Sequence, residues 1–239
     1  MIYRKSYPQE NGLITCQFRI GESNIMISSD KPIKTVAKKI LTKIRSDIKN
    51  YIKIHPEFSE SFNPVKIKRS APNIIKKMGK AAQSANVGPM AAIAGAIAEE
   101  LGNNLSATTS ELIIENGGDI FINVKRQIII GIWSQNKKIN NNLGILLNKK
   151  RGRCAICTSS GTLGHSFSYG KADAATVIAK NAALADAWAT RLSNEIKTPK
   201  DIKRAIALLK DIRGIIGALV IHKKSIALWG DIELTQITG

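Results

Sequence analysis

The chain is poor in cysteine, aromatic residues and acidic groups, and it lacks any long apolar run. Three cysteines among 239 residues are too few for a disulfide framework, which favours a reducing, cytoplasmic setting. No stretch approaches the roughly 20 apolar residues that span a bilayer, and the N-terminus has no apolar core of a secretion signal. We therefore expect a cytoplasmic protein without a membrane partner. Its hydrophobic content of 44% is sufficient for a buried core.

Basic residues outnumber acidic ones by 36 to 18, giving a formal net charge of +18. This charge invites a nucleic-acid interpretation, but aromatic residues are only 5% and the lysines are scattered along the chain. A dedicated nucleic-acid binder usually interleaves basic and aromatic residues, so the composition disfavours one. The charge is more typical of solvated faces, and part of it would suit the surroundings of a phosphate-bearing ligand.

Local patterns predict an α+β fold. Alternation over residues 13–28 predicts a hairpin around Gly21, and Asp30 is expected to cap a long helix with apolar residues at steps of three and four. Pro89 should open a helix of small residues that Gly102 closes. Further strands are predicted at ELIIE, DIFINVK, QIIIGIW, LGILLNK, RCAICTS and 175–179, with helices over 181–194 and from Pro199, and a closing hairpin of IIGALVIH and SIALWG.

Runs of hairpin strands separated from long helices favour an antiparallel sheet with helices packed on it. No linker rich in Pro, Gly or Ser demands a second domain, so a single domain over residues 1–239 is expected.

Two glycine-containing segments are candidate ligand contacts. Gly117, Gly118 and Asp119 follow a predicted strand, where glycine lets a ligand approach the backbone, although an ordinary hairpin turn has the same pattern. The TSSGT segment offers hydroxyl and backbone N–H groups suited to phosphate oxygens without being a P-loop. Its residues are Thr158, Ser159, Ser160, Gly161 and Thr162.

Asp186 and Thr190 lie four residues apart in a predicted helix and so share one face. A carboxylate and a hydroxyl are hard oxygen ligands that Mg²⁺ accepts, although the same pair also fits a solvated helix face. His165 is a candidate base or ligand contact, with a structural role as the alternative. Cys154 and Cys157 form a C-x-x-C pair on a predicted strand, and buried thiols are favoured over a redox couple.

The segments ICTSSGTLGHSFSYGKADAATVIAKNAALADAWAT, NVGPMAAIAGAIAEEL and ENGGDIFI resemble the UPF0280 family of archaeal and bacterial proteins, over nearly the whole chain. More distantly, the order of motifs resembles the ApbE superfamily of FAD-binding flavin transferases. That resemblance implies an ApbE-like fold, Mg²⁺ held by Asp186 and Thr190, and FAD or another nucleotide near Gly117 to Asp119. The lysine and tyrosine of the transferases' GGIAKGY segment are absent, since Gly88 to Ala92 stand there.

Three functional hypotheses follow. The first is an ApbE-like enzyme that binds Mg²⁺ and a phosphorylated or flavin ligand, with His165 or Asp173 handling protons. The resemblance also implies a setting in anaerobic sulfur (homocysteine) metabolism, in which Cys157 would be the thiol to test. The second is a non-catalytic flavin-binding or accessory protein, and the third is a basic polyanion-binding module. A protein partner and self-association are left open.

Overall fold

A computed structural model describes residues 12–132, 143–148, 152–160 and 172–237. Within these residues the chain forms six α-helices and eleven strands. The helices are α1 (Lys34–Ile54), α2 (Glu57–Glu60), α3 (Asn73–Ala85), α4 (Ile93–Leu105), α5 (Ala182–Glu195) and α6 (Asp201–Ala207), and a 3-10 helix, Pro89–Ala92, precedes α4. The strands are β1 (Ile14–Ile20), β2 (Ser23–Ser29), β3 (Leu112–Asn116), β4 (Asp119–Asn123), β5 (Ile128–Gly131), β6 (Leu143–Leu147), β7 (Cys154–Ser159), β8 (Ala174–Ala179), β9 (Ile215–His222), β10 (Ser225–Gly230) and β11 (Glu233–Gln236).

The strands of the described residues build two sheets. The larger has the order β1-β2-β3-β4-β7-β8-β9-β10, and the smaller has the order β11-β6-β5. Every pairing is antiparallel. The predicted α+β class, an antiparallel sheet with helices packed on it, is confirmed.

The larger sheet separates two hydrophobic layers. One face packs against α1, α4 and α5, with α3 lying on these helices, and its buried residues from β7 and β8 include Ala155, Cys157 and Val177. The other face packs against the smaller sheet, through residues such as Ile156 and Ile178. Neighbouring residues of β7 and β8 alternate between the layers because successive side chains of a strand point to opposite faces. The burial of both faces explains why β7 and β8 are mostly apolar, with the Thr158 and Thr176 hydroxyls paired to each other.

Asp30 does not cap α1, and this prediction was wrong. Its carboxylate accepts hydrogen bonds from the backbone N–H of Ser110 at 3.2 Å and from the Ser110 hydroxyl at 2.8 Å. Ile33 occupies the N-cap position of α1 without a side-chain hydrogen bond. Asp30 thus ties the end of β2 to the segment that leads into β3.

Gly102 does not close α4, which continues to Leu105. A Cβ atom at this position would lie 2.4 Å from the Phe121 ring on β4. The missing side chain therefore lets the helix lie directly on the sheet. Among the described residues, no helix is both long and apolar enough to cross a membrane.

Candidate functional site

The β3–β4 turn consists of Gly117 and Gly118, and both have positive φ angles of 68° and 112°. Asn116 and Asp119 pair on either side of them, so the predicted hairpin turn is present. A Cβ atom at either glycine would meet no atom within 4 Å. The glycines are therefore required by the backbone conformation, and the space in front of the turn is open.

Asp119 lies at the start of β4 with only 8% of its surface exposed. Its Oδ1 atom has no hydrogen-bond partner among the described residues. Burial raises the pKa of Asp119 to about 7, with a further rise from Glu115, although hydrogen bonds from Cys157 and the Thr158 backbone act in the opposite direction. Asp119 is thus a buried carboxyl group in which one oxygen, Oδ1, remains able to accept a hydrogen bond or bind a cation.

Asp186 lies in the first half of α5 and faces the beginning of α4. Its Oδ2 atom accepts a hydrogen bond from the Gly95 backbone N–H at 2.9 Å. Burial raises the pKa of Asp186 well above its ordinary value, and the charge of Asp119 raises it further. The structure therefore brings Asp119 and Asp186, from two predicted motifs 67 residues apart, close enough for their negative charges to oppose each other.

Helices α4 and α5 each supply the acidic group that caps the other. Asp186 of α5 accepts from Gly95 in the first turn of α4, and Glu99 of α4 accepts from the Ala182 backbone N–H of α5 at 2.7 Å. A Cβ atom at Gly95 would lie 2.3 Å from the Ala182 carbonyl oxygen. Glycine at this position is thus what lets the two helix beginnings touch, and negative charge is favoured there by both helix dipoles.

Cys157 lies beside both aspartates, but its thiol is not set up as a nucleophile. The side chain is fully buried, and its single S–H lies within reach of two acceptors, the Ala182 carbonyl oxygen at 3.5 Å and the Asp119 carboxyl group. Burial and the charges of Asp119 and Asp186 raise the pKa of Cys157 well above its ordinary value. The reactive form of cysteine is the thiolate, so these surroundings argue against the catalytic role expected for it.

The C-x-x-C pair cannot act as a disulfide couple in this conformation. Cys154 packs in the layer between the two sheets, whereas Cys157 packs in the layer under the helices. Residues three apart on one strand point to opposite faces. Both thiols are buried and neither is part of a disulfide, as the pattern predicted.

The TSSGT segment is only partly within the described residues. The Thr158 hydroxyl forms a 2.9 Å hydrogen bond with the Thr176 hydroxyl on β8, and both side chains point away from the helices. Ser159 and Ser160 are half-buried at the end of β7. Gly161, Thr162 and His165 lie outside the described residues. Thr158 is therefore held by the sheet rather than aimed at the Asp186 side.

Asp173 is not brought to the aspartate pair. It precedes β8, whereas α5 follows the other end of that strand. Its Oδ2 atom accepts from the Lys223 backbone N–H at 2.6 Å, in the β9–β10 turn where Lys223 has a positive φ of 55°. Asp173 therefore stabilises the β9–β10 turn by accepting a hydrogen bond from its backbone. Thr190 is half-buried on α5, one helical turn beyond Asp186.

Three residues of this region were missing from the predicted site. Gly95 and Glu99 bring the helices together, and Asn116 donates from Nδ2 to the Ala94 carbonyl oxygen at 3.1 Å. A charged residue within the small apolar run GAIAEEL was a signal for Glu99, because such a residue is seldom buried without a partner. Asn116 stood beside the glycine turn but was treated only as part of its flank.

The described residues contain no group of three or more His, Cys, Asp or Glu side chains arranged to hold a metal ion. The chemistry of the donor set still suits a hard cation, because two desolvated carboxyl groups repel each other unless one is protonated or a cation lies between them. Mg²⁺ usually takes one or two carboxylates and completes its octahedron with water and phosphate oxygens. Asp186 and Asp119 fit that demand, and Thr190 offers a hydroxyl nearby.

Comparisons with solved structures define the class of fold. A point mutant of the flavin transferase ApbE from Vibrio cholerae superposes with a TM-score of 0.59 at 11% identity, covering 91% of this chain and 96% of that one. The apo flavinyl transferase ApbE of Pseudomonas stutzeri gives 0.59 at 10% identity, covering 91% and 94%. This protein therefore has the ApbE fold.

Sequence comparisons place it more narrowly. A family model described as "AbpE bacteria" matches residues 4–223. The UPF0280 protein of Methanocaldococcus jannaschii is 41% identical over 219 residues, covering 89% of each chain. That of Methanococcus vannielii is 38% identical over 214 residues, covering 87% of each. The chain belongs to the UPF0280 family, as the motifs predicted.

Proposed function

We propose that this protein binds a phosphorylated ligand of the flavin nucleotide type together with Mg²⁺, in front of the Asp119 and Asp186 pair. The observation that carries the proposal is the pair itself: both carboxyl groups have raised pKa values, and neither forms an ion pair with a basic side chain of the described residues. Two such groups kept together at a stability cost are typical of a functional site. A divalent cation would compensate both charges.

Each residue of the proposed site has a limited task. Asp186 and Thr190 would hold Mg²⁺ from α5, and Asp119 would face it from β4 with its Oδ1 atom. When bound, the cation would neutralise phosphate oxygens of the ligand. Gly117 and Gly118 would leave room for the ligand at the open turn. Solved proteins with this fold are called flavin transferases, and this supports a flavin as the first ligand to test.

We propose binding as the primary activity and leave the reaction as a prediction. The thiol beside the carboxylates, Cys157, is buried and held protonated. Asp173 supports a turn at the other end of β8. Both observations favour the accessory, non-catalytic hypothesis over the enzyme for the described residues. Proton transfer by His165 and a role in homocysteine metabolism stay predictions.

The test is a fluorescence titration of FAD, FMN and ADP with Mg²⁺ or with EDTA. We expect Mg²⁺ to tighten binding of the preferred ligand at least about tenfold, equivalent to roughly 1.4 kcal/mol. Asp186→Asn should abolish this Mg²⁺ effect and stay folded, because an asparagine oxygen still accepts from the Gly95 N–H. Asp186→Ala removes both the charge and the helix cap, so it should also lower the free energy of unfolding.

Asp211→Asn is the matched control, because Asp211 is an exposed residue that loses the same charge. If none of the three ligands binds in the presence of Mg²⁺, the proposal fails. It also fails if Asp186→Asn keeps the full Mg²⁺ effect, since the helix cap would then be the only role of Asp186.

A further inference from the structure

A groove of about 730 Å³ lies between an extended segment and one face of α3. None of its described lining residues belongs to the aspartate pair or to the elements that carry it. The extended wall is formed by residues 64–69. The helical wall is formed by Lys76, Gly79, Lys80 and Gln83, which recur at the three- and four-residue steps of a single helix face. These α3 residues do not contribute to the site described above.

The extended wall rests on α3 through its side chains. Val65 and Ile67 are half-buried against the core, whereas Lys66 and Lys68 are exposed. A Cβ atom at Gly79 would lie 2.2 Å from Cγ1 of Ile67, so glycine allows this segment to rest directly on the helix. The alternation places the Lys66 and Lys68 side chains on one side, roughly 7 Å apart, since an extended chain rises about 3.3 Å per residue.

The groove carries positive charge that nothing within the described chain compensates. Half of its described lining residues are basic, and none of them is acidic. None of these basic side chains forms an ion pair with another described residue. They are Lys66, Lys68, Arg69, Lys76 and Lys80. An anionic partner would therefore meet charges that are free to pair with it.

The backbone of the extended wall is also free to pair. Residues 65–67 make no backbone hydrogen bond to any described residue. An extended segment of this kind can accept a further strand, with main-chain bonds giving affinity and alternate side chains giving specificity. No aromatic side chain lines the groove within the described residues, and a single-stranded nucleic acid usually needs such side chains for base stacking.

We propose that this groove binds an extended acidic peptide segment of a partner protein. The peptide backbone pairs with residues 65–67, and carboxylates at alternate peptide positions meet Lys66 and Lys68. Lys76 and Lys80 on α3 contact the other edge of the peptide. The proposal is independent of the ligand bound at Asp119 and Asp186.

The test is fluorescence anisotropy with a labelled ten-residue peptide of alternating Glu and Thr, and with its Gln-for-Glu counterpart. We expect the Glu peptide to bind, and the double variant Lys66→Glu, Lys68→Glu to weaken binding by at least about tenfold. The control is Lys39→Glu, Lys43→Glu on α1, which changes the net charge equally at exposed positions that do not line the groove. Its affinity should change by less than about twofold.

A peptide that is N-methylated at alternate residues keeps its charges but loses backbone donors, and it should bind at least about tenfold more weakly. Equal losses in the groove and control variants would overturn the proposal, because the attraction would then be unspecific. It is also overturned if the Glu and Gln peptides bind equally, if N-methylation has no effect, or if an oligothymidylate of ten nucleotides binds more tightly than the Glu peptide.

Discussion

Asp119 is a buried acidic group with the half-buried Asp186 beside it, whereas Lys66 and Lys68 are basic groups exposed to water. Like charges in a desolvated place strongly oppose each other, and their pKa values show it. Like charges on exposed lysines are screened by solvent and cost little to hold together. The charge of the aspartate pair therefore indicates a functional site by itself. The lysines indicate a binding site only together with the unpaired backbone of residues 65–67 and the shape of the groove.

The two regions also differ in what fixes their geometry. Gly95 brings α4 against the backbone carbonyl of Ala182, and a backbone wall cannot move without shifting α5. Gly79 brings α3 against Cγ1 of Ile67, but the segment that carries Ile67 has no backbone hydrogen bond to any described residue to hold it in place and can shift. We therefore regard the aspartate pair as a rigid site and the groove as an adaptable one.

The largest expected effect is a loss of stability at the rigid region, where α4 meets α5. Gly95→Ala and Gly79→Ala make the same change within a helix, where alanine is intrinsically favoured by up to about 1 kcal/mol. We expect Gly95→Ala to lower the free energy of unfolding by roughly 3 kcal/mol or more, because the new Cβ meets a backbone oxygen. Gly79→Ala should lower it by less, about 1 to 2 kcal/mol, because the Ile67 segment can shift away from the new Cβ atom. Urea denaturation measures both, and equal losses would remove the distinction between the regions.

A smaller effect is expected from Asp119→Asn. The change removes one buried charge near Glu115 and Asp186 and keeps an oxygen that accepts hydrogen bonds. Without Mg²⁺ at about pH 8, we expect the free energy of unfolding to rise by roughly 1 to 3 kcal/mol. Added Mg²⁺ should then stabilise the variant no further. Chemical denaturation with Asp211→Asn as the control tests this, and a destabilised variant that still responds to Mg²⁺ would contradict it.

The smallest expected effect is the change with pH in how each site responds to its ligand. An unfolded aspartate has a pKa near 3.9, and Asp119 in the folded protein has a pKa of about 7, so the folded state binds more protons between these values. Without Mg²⁺, this group makes the protein less stable as the pH rises from about 4 through about 7. Because Mg²⁺ binds the ionised form, it should raise Tm more at about pH 8 than at about pH 5.5.

The groove provides the contrast, because lysine and glutamate in model peptides both keep their charges between about pH 5.5 and about pH 8. Binding of the Glu peptide should therefore be nearly the same at both pH values. Thermal unfolding and anisotropy measured in the same buffers give the two responses together. A Mg²⁺ effect that does not increase with pH would argue against ionised Asp119 as part of the metal site.

The strands and the longer helices could be predicted from the sequence because their patterns are local. The hairpin around Gly21 and the strands on both sides of Gly117 and Gly118 follow from alternation and turn residues. β11 was missed because its four residues, ELTQ, are too few to show a period. Asp30 was misassigned because its true partners are Ser110 and its neighbours, 80 residues further along the chain.

The site was predicted in its parts but not in its assembly. Asp119 and Asp186 were both singled out from their motifs, yet their coupling depends on the register that sets β4 beside β7 and on the contact of α5 with α4. The cap from Glu99 to Ala182 spans 83 residues, and no local pattern reveals it. The partner of the Thr158 hydroxyl could not be predicted either, because the TSSGT pattern does not show that it bonds Thr176 on the neighbouring strand.

Cys154 and Cys157 are separated by two residues on β7 but belong to different hydrophobic layers. A thiol reagent can reach Cys157 only when the helices lift from the large sheet, and it can reach Cys154 only when the small sheet lifts from the opposite side. The two thiols of β7 can therefore be used to measure local opening on the two faces of the large sheet separately. In variants that keep one of these two thiols, with Cys16 replaced as well, the labelling rates would show which layer of the protein opens first.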